Sequence, residues 1–531
     1  VTPTRTLARA AATLAAAAFL ALAALGGAGA APARADTYIP ITGTGSTWSQ
    51  NALDQWRKNV AANYGMTVNY SGVGSSAGRQ DFITGTVDFA VSEIPFQSAP
   101  DDGSSPETPT RGYAYMPIVA GGTAFMYNLQ INGKRVTNLR LSGEVITKIF
   151  TGVITNWNDA AVQADNPGLT MPDKTIVPVV RSDGSGSTAQ FTLWMSKQYA
   201  DLWTAFSGRS GLTSQYPATP TMKAQNGSLG VAGYVSQSYG EGAITYVEYS
   251  YAKNSGFPVA KVLNAAGYYV EPKATSVAVA LLQAQIDPAD LTQILDGVYN
   301  NADNRTYPLS SYSYMIIPTA VGGVFTEQKG ATLGAFARYM LCEGQQQADT
   351  LGYSPLPMNL VLAGSEQISR IPGAGSNGVD PRDCNNPTFK PGDDPSSNQL
   401  ALTAPVPEEC DKQGPTQCTT GTGGAADVPT DNNNPDADPS ANPDAAAQNA
   451  AAAAAGAGGG GGAAPVYDEN GALISGGGSG GAAAVSSPFT LPDSGMGVAQ
   501  WLMVAAGALL LAAVIVPPLA SRRLKRSGRD S

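Results

Sequence analysis

The 531-residue sequence contains no histidine. That absence removes Ser-His-Asp and Cys-His activation of a nucleophile, histidine-ligated zinc, and the one side chain whose ordinary titration falls near neutral pH. Charge is sparse as well, with Asp, Glu, Lys and Arg making up 14% of the chain. No basic stripe runs through the aromatic-containing part, so nothing there neutralises a phosphodiester backbone, and nucleic acid is excluded as a partner. The formal net charge is −10, and its acidic excess lies between Glu366 and Thr490. No G-x-x-x-x-G-K-[ST] occurs, so the lysine and the magnesium-binding hydroxyl of a P-loop are missing. The four cysteines, Cys342, Cys384, Cys410 and Cys418, include no C-x-x-C pair. With no histidine to join them, no metal site and no cofactor are expected.

What is present begins with a leader. Arg5 and Arg9 precede an almost wholly small or apolar run over 10–31, and Ala33-Arg34-Ala35 fits an A-x-A cleavage site. Residues 1–35 read as a secretory signal, with the mature chain starting at Asp36. Outside the cell the cysteines can pair. Of the three connectivities four cysteines allow, proximity favours Cys410–Cys418 and leaves Cys342–Cys384.

Residues 36–364 have the mixed apolar, aromatic and turn-rich composition of a globular domain. From 365 to 490 the composition turns to Gly, Ala, Pro and Asp, with runs such as DNNNPDADPSANPD and AAAAAGAGGGGG. Such sequence buries too little apolar surface to offset its ordering entropy, and a disordered linker is expected. Residues 498–520 carry no charge and are long enough to cross a bilayer. The basic tail at 521–531 prefers the cytoplasmic side. Just before the run, Leu491-Pro492-Asp493-Ser494-Gly495 resembles the LPxTG cell-wall sorting signal of Gram-positive bacteria, with Ser494 where threonine is usual. A chain held at the extracellular face of the plasma membrane or in the cell wall by one C-terminal anchor is expected. Retention as a transmembrane helix and transfer by a transpeptidase both stay open.

Three junctions in the globular part share one form: a strand-like segment, then Gly with Ser or Thr, then a helix-like segment. The first is IPITGTGSTW at 39–48, followed by Leu53, Trp56, Val60 and Tyr64 on one helical face. The second is TVNYSGVGSSAG at 67–78. The third is IVPVVRSDGSGSTAQF at 176–191, with Phe191, Trp194, Met195 and Tyr199 on its face. A helix start exposes unpaired N–H groups and a partial positive charge, and glycine lets an anion approach the backbone. One such junction is ordinary helix capping. Three in one domain, one of them bearing Arg181 with its fork of donors, point to an oxyanion. Asp183 stands where it can hold that guanidinium. The run Gly72-Val73-Gly74-Ser75-Ser76-Ala77 also fits the loose dinucleotide pattern, with Glu93 about 20 residues on. The helix between is too short for an ordinary βαβ unit, which counts against a dinucleotide.

In order, GTGSTW, VNYSGVGSSAGRQDFITGTVDFAVSE, PIVAGGTAFMYN, IFTGVITNWND, VVRSDGSGSTAQFT, NGSLGVAGYV and GAITYVEYSYAK make the chain resemble the phosphate-binding proteins of bacterial phosphate ABC transporters, over roughly 38–359. That resemblance implies an α/β, two-lobed, periplasmic-binding-protein-like fold with two crossing strands. It sets lobe 1 at about 36–128 and 314–362 and lobe 2 at about 129–313. It implies inorganic phosphate as ligand, an ABC permease as partner, and no enzymatic activity. The implied phosphate contacts are Thr47, Trp48, Ser75, Glu93, Arg181, Ser185, Gly186 and Ser187, with Asp183 supporting Arg181. Trp48 stands where the family usually has phenylalanine, Ser187 where it has threonine, and Glu93 where it has aspartate.

Glu93 is the departure with chemical weight. Monohydrogen phosphate can donate its proton to a carboxylate, whereas sulfate has none to give, and facing acceptors left unpaired give strong rejection. Glutamate keeps the acceptor one methylene further from its backbone. A surface protein binding another oxyanion, or acting in adhesion or sensing without transport, is the alternative that the long linker and sorting-like tail suit.

Overall fold

The computed structural model describes residues 38–376 and 378–431, together with the backbone of two short paired strands, Val466–Tyr467 and Leu473–Ser475. The leader, the sorting-like motif, the apolar run at 498–520 and the basic tail lie outside the described residues. Among the described residues no helix is long and apolar enough to cross a membrane.

The first lobe is built from β1 (Ile41–Gly45), α1 (Gln50–Tyr64), β2 (Val68–Gly72), α2 (Ser75–Thr84) and β3 (Phe89–Ser92). β1 lies between β2 and β3, parallel to both, so α1 and α2 serve as the crossovers that parallel pairing requires. α1 buries Ala52, Leu53, Trp56 and Val60, while Tyr64, expected on the same face, is 45% exposed. β4 (Tyr113–Tyr127) is buried along almost its whole length and runs through both halves of the molecule.

The second lobe contains β5 (Val177–Arg181), α3 (Gly186–Gln198), β6 (Lys223–Gln225), α4 (Gly227–Ser236), β7 (Ala243–Glu248), α5 (Tyr249–Ser255) and β8 (Val259–Leu263). The last long strand, β9 (Ser310–Pro318), pairs antiparallel with β3 and with Tyr113–Gly122 of β4. The rest of β4, Thr123–Tyr127, pairs antiparallel with β7. β7 in turn is parallel to β5. The sheet thus passes from one lobe to the other through β4, and the carboxyl ends of β1, β2 and β5 face the same crevice, where ligands of open α/β sheets bind. α6 (Glu327–Leu341) and α7 (Met358–Ile368) return the chain to the first lobe.

One expectation is corrected here. Residues 365–431, taken from composition as the first part of a disordered linker, are folded onto the domain. The disulfides are Cys342–Cys384 and Cys410–Cys418, as proximity suggested. Thr388 Oγ donates to Leu356 O at 2.8 Å, Arg140 Nη1 to Thr416 O at 2.8 Å, Asn138 Nδ2 to Cys418 O at 2.8 Å, and the Gly423 N–H to Glu271 Oε1 at 2.7 Å. Composition misleads because this segment is held by cross-links and by side-chain bonds to its backbone, with little apolar burial of its own. The Lys261–Asp411 ion pair, 2.6 Å apart with both side chains only 10% exposed, ties the segment to the domain through buried charges. Asp411→Ala would leave the lysine charge buried and unpaired, and is expected to cost about 3 kcal/mol of stability, read from denaturant unfolding of the full chain. An unchanged midpoint would refute that anchoring role.

Candidate functional site

All three glycine and hydroxyl junctions meet in the crevice. β1 ends at Gly45, and Ser46, Thr47 and Trp48 lead into α1. The Trp48 N–H donates to Ser46 Oγ at 2.9 Å, so it is satisfied within its own loop. The Tyr251 hydroxyl from α5 donates to Thr47 O, and the Tyr353 hydroxyl donates to Trp48 O at 2.7 Å. Two tyrosines therefore hold this loop by its carbonyls.

The second junction places Ser75 at the start of α2. Gly74 has φ +93°, and a side chain there would also meet Asp183 Oδ2 at 2.6 Å, so both backbone conformation and space demand glycine. The third junction opens α3. Ser185 Oγ accepts the Thr188 N–H at 3.2 Å and caps the helix, the ordinary role any single junction would have. The Gly186 N–H donates to Ser75 Oγ at 3.1 Å, and the Ser76 N–H donates to Gly184 O at 3.1 Å. The second and third helix starts thus touch across the lobes. Ser187 Oγ is buried without a hydrogen-bond partner.

Arg181 is 3% exposed. Its Nε donates to Asp183 Oδ1 at 2.7 Å, its Nη2 donates to Asp183 Oδ2, and its Nη1 reaches Ser228 Oγ at 3.4 Å. Burial would raise the Asp183 carboxyl. Its bonds from Arg181 and from the Gly227 N–H at 2.9 Å prevail, and it is held below the usual carboxylate range. A doubly bonded guanidinium of this kind is fixed in direction before any ligand arrives.

Glu93, 1% exposed, sits at the centre. Its Oε2 accepts the Ser75 hydroxyl at 2.7 Å. Its Oε1 accepts the Ser46 hydroxyl and lies 3.1 Å from Ser313 Oγ of β9. The extra methylene is accommodated: the carboxylate points into the crevice and not to solvent. A Cβ on Gly186 would fall 2.0 Å from Glu93 Oε2 and 2.8 Å from Ser75 Oγ, so only glycine permits this approach of α3.

The structure gathers Thr47, Ser75, Glu93, Arg181, Asp183, Ser185, Gly186 and Ser187 into one crevice, with the buried Trp48 ring behind them. Ser46, Ser313 and Ser228 belong to it as well, though sequence reasoning did not single them out. Ser228 opens α4, and its Oγ lies 2.8 Å from Thr47 Oγ1 across the lobes. It sits inside NGSLGVAGYV, where the Asn-Gly-Ser start was the available hint. The chemistry assembled is one full cation, a cluster of hydroxyl and amide donors, and one carboxylate acceptor. It suits a small anion that also carries a proton.

Residues 27–343 match the family model described as PBP superfamily domain. Phosphate-binding protein PstS of Xylella fastidiosa is 34% identical over 323 residues, covering 61% of this chain and 83% of that protein. The protein of the same name from Pasteurella multocida is 31% identical over 328 residues, covering 60% and 87% respectively. A solved phosphate-binding protein from Stenotrophomonas maltophilia shares 18% identity over 60% of this chain and 91% of its own, with a TM-score of 0.46.

Proposed function

The chain belongs to the PstS phosphate-binding proteins of the PBP superfamily, and from that premise we propose that it captures inorganic phosphate outside the cytoplasm and delivers it to an ABC permease. It binds and releases its ligand and leaves it chemically unchanged. The observation that carries the assignment is the pairing of Arg181, locked by Asp183, with a buried Glu93 acceptor in one crevice between the lobes.

The contacts proposed for phosphate are Thr47, Trp48, Ser75, Glu93, Arg181, Ser185, Gly186 and Ser187. In the closed crevice many of these donors bond one another, as Gly186 does with Ser75 and Thr47 with Ser228. Entry of the anion exchanges those bonds for bonds to its oxygens as the lobes part and reclose, a hinge motion. The exchange leaves few groups unpaired in either state, so little free energy is lost to desolvation. The leader at 1–35 would export the chain. The apolar run at 498–520 with its basic tail would anchor it, leaving the domain at the outer face of the membrane or wall.

Calorimetric titration of the phosphate-stripped full chain tests the assignment: one phosphate per chain is expected, with sulfate rejected. A flat phosphate trace would end it. Glu93 supplies the selectivity, because it accepts the proton that only phosphate carries. Glu93→Gln is therefore expected to narrow the preference for phosphate over sulfate by about 100-fold or more. If both anions lost affinity equally, Glu93 would be a scaffold residue and not the discriminator.

A further inference from the structure

Outside the anion crevice, Glu248, at the end of β7, is a fully buried carboxyl, with 0% of its surface exposed. Its Oε2 accepts the Ser250 N–H at 2.9 Å and the Ser250 hydroxyl. Its Oε1 is buried and has no hydrogen-bond partner. The groups around it lead to the first helix start. Ser250 Oγ accepts Asn51 Nδ2 of α1 at 2.7 Å and lies 3.3 Å from the Tyr353 hydroxyl. Tyr353 holds Trp48 O and Tyr251 holds Thr47 O. One polar network thus ties α5 of the second lobe to the Thr47–Trp48 loop of the first.

Counting hydrogens gives the state of the carboxyl. The single hydrogen of the Tyr353 hydroxyl is spent on Trp48 O, and that of Ser250 on Glu248 Oε2. Neither is left for Oε1. An ionised Glu248 would be a buried charge with an unmet acceptor, which is costly. A protonated Glu248 instead brings a donor, and Tyr353, which interacts with this carboxyl, offers an oxygen with a spare lone pair. The other titratable groups facing Glu248 do not compensate a charge. Lys253 on α5 attracts it, but the lysine Nζ is bonded to Asp349 O at 3.3 Å and Thr350 O at 3.1 Å. Tyr249 and Tyr251 feel its charge unfavourably, alongside Asp349 and Glu271 acting on Tyr249 and Asp54 on Tyr251, with Arg181 acting favourably on Tyr251. Burial is the largest influence and pushes the Glu248 carboxyl up to about 8, against the pull of Ser250, Tyr353 and Lys253.

We propose that Glu248 is a positioning residue for anion binding: its retained proton completes the network that pins the first helix start to the second lobe, and losing that proton releases the pin. It acts this way on the site proposed above to take phosphate. The sign follows from linkage. A carboxyl raised in the folded state stabilises that state below its ordinary range near 4.5, and the contribution is lost as pH rises through about 8. Glu248 is fully buried in this arrangement, and an anion held in the crevice favours its neutral form further. Once Glu248 ionises, binding must take up a proton, and affinity falls with rising pH.

The experiment titrates phosphate into the phosphate-stripped full chain between about pH 6.5 and 9.5, in buffers of different ionisation enthalpy so that proton uptake is counted. The wild type is expected to lose about tenfold in affinity between pH 7.5 and 9.5, with proton uptake appearing over the same interval. Glu248→Gln keeps the shape, accepts from Ser250 and donates to Tyr353 without titrating. It should bind within about threefold of wild type at pH 7 and stay flat to pH 9.5. Phosphate's own ionisation is common to both proteins and cancels. A wild type flat across the range, or a Gln variant with the wild-type slope, would each overturn the role of Glu248 while leaving phosphate binding intact. No phosphate binding at pH 7 would end the phosphate assignment and this inference with it.

Discussion

Arg181→Ala is expected to weaken phosphate binding by about a thousandfold, near 4 kcal/mol. The size comes from two effects of the same sign. The anion loses the one full positive charge placed in the crevice, and Asp183 loses both guanidinium bonds, at 2.7 Å from Nε and from Nη2. The freed carboxylate then faces the anion as a like charge in a low-dielectric site. Arg181→Ala combined with Asp183→Ala should therefore bind more tightly than Arg181→Ala alone, a coupling that a double-mutant cycle reads directly. Arg181→Lys keeps the charge without the fork and should fall between wild type and alanine. Because Asp183 is held below its usual range in the folded protein, its contribution is present above the ordinary carboxylate value of 3.8 and lost only as pH falls below it. The clamp should hold through mildly acidic conditions. Unchanged affinity in Arg181→Ala, or no recovery in the double variant, would remove the guanidinium from the binding site.

The three helix starts were legible in the sequence because their signal is local. Glycines and hydroxyls between an apolar run and a helical face have few other uses, and α1 and α3 begin where that pattern places them, while α2 starts earlier, at Ser75 within the glycine and hydroxyl run. The partners of Glu93 were not legible. Ser46 is one hydroxyl among several in GTGSTW, and Ser313 arrives from β9, 220 residues away in the chain. Only the strand order that sets β9 beside β3 brings them together, and no spacing along the sequence encodes that order. Tyr251 and Tyr353 were hidden for the same reason, since each acts on the carbonyls of Thr47 and Trp48 from a distant element. The folded segment at 365–431 was misread on different grounds. Composition measures apolar burial, and this segment is secured by two disulfides, a buried ion pair and hydroxyl-to-carbonyl bonds. Its cysteines and Phe389, which is 5% exposed, were the signals that outweigh its proline and aspartate content.

Gly186→Ala is expected to cut phosphate affinity by about 100-fold, near 3 kcal/mol, through steric overlap alone. Gly186 has no need of glycine for its backbone conformation, since it begins α3 in ordinary helical geometry. Its constraint is purely one of approach: the added methyl would stand 2.0 Å from Glu93 Oε2 and 2.8 Å from Ser75 Oγ. Both groups are themselves fixed, Glu93 by three hydroxyls and Ser75 by Glu93, so neither yields without breaking a buried bond. The methyl therefore opposes closure of the second lobe on the first. Alanine is also the better helix former by about 1 kcal/mol, so an open, ligand-free protein should be as stable as wild type or slightly more so. The two measurements then move in opposite directions, with weaker binding by calorimetry and an equal or higher denaturant midpoint without phosphate. A general packing defect would lower both. Wild-type affinity in this variant would mean that α3 and Glu93 do not approach in the bound state, and that the carboxylate meets its ligand by another geometry.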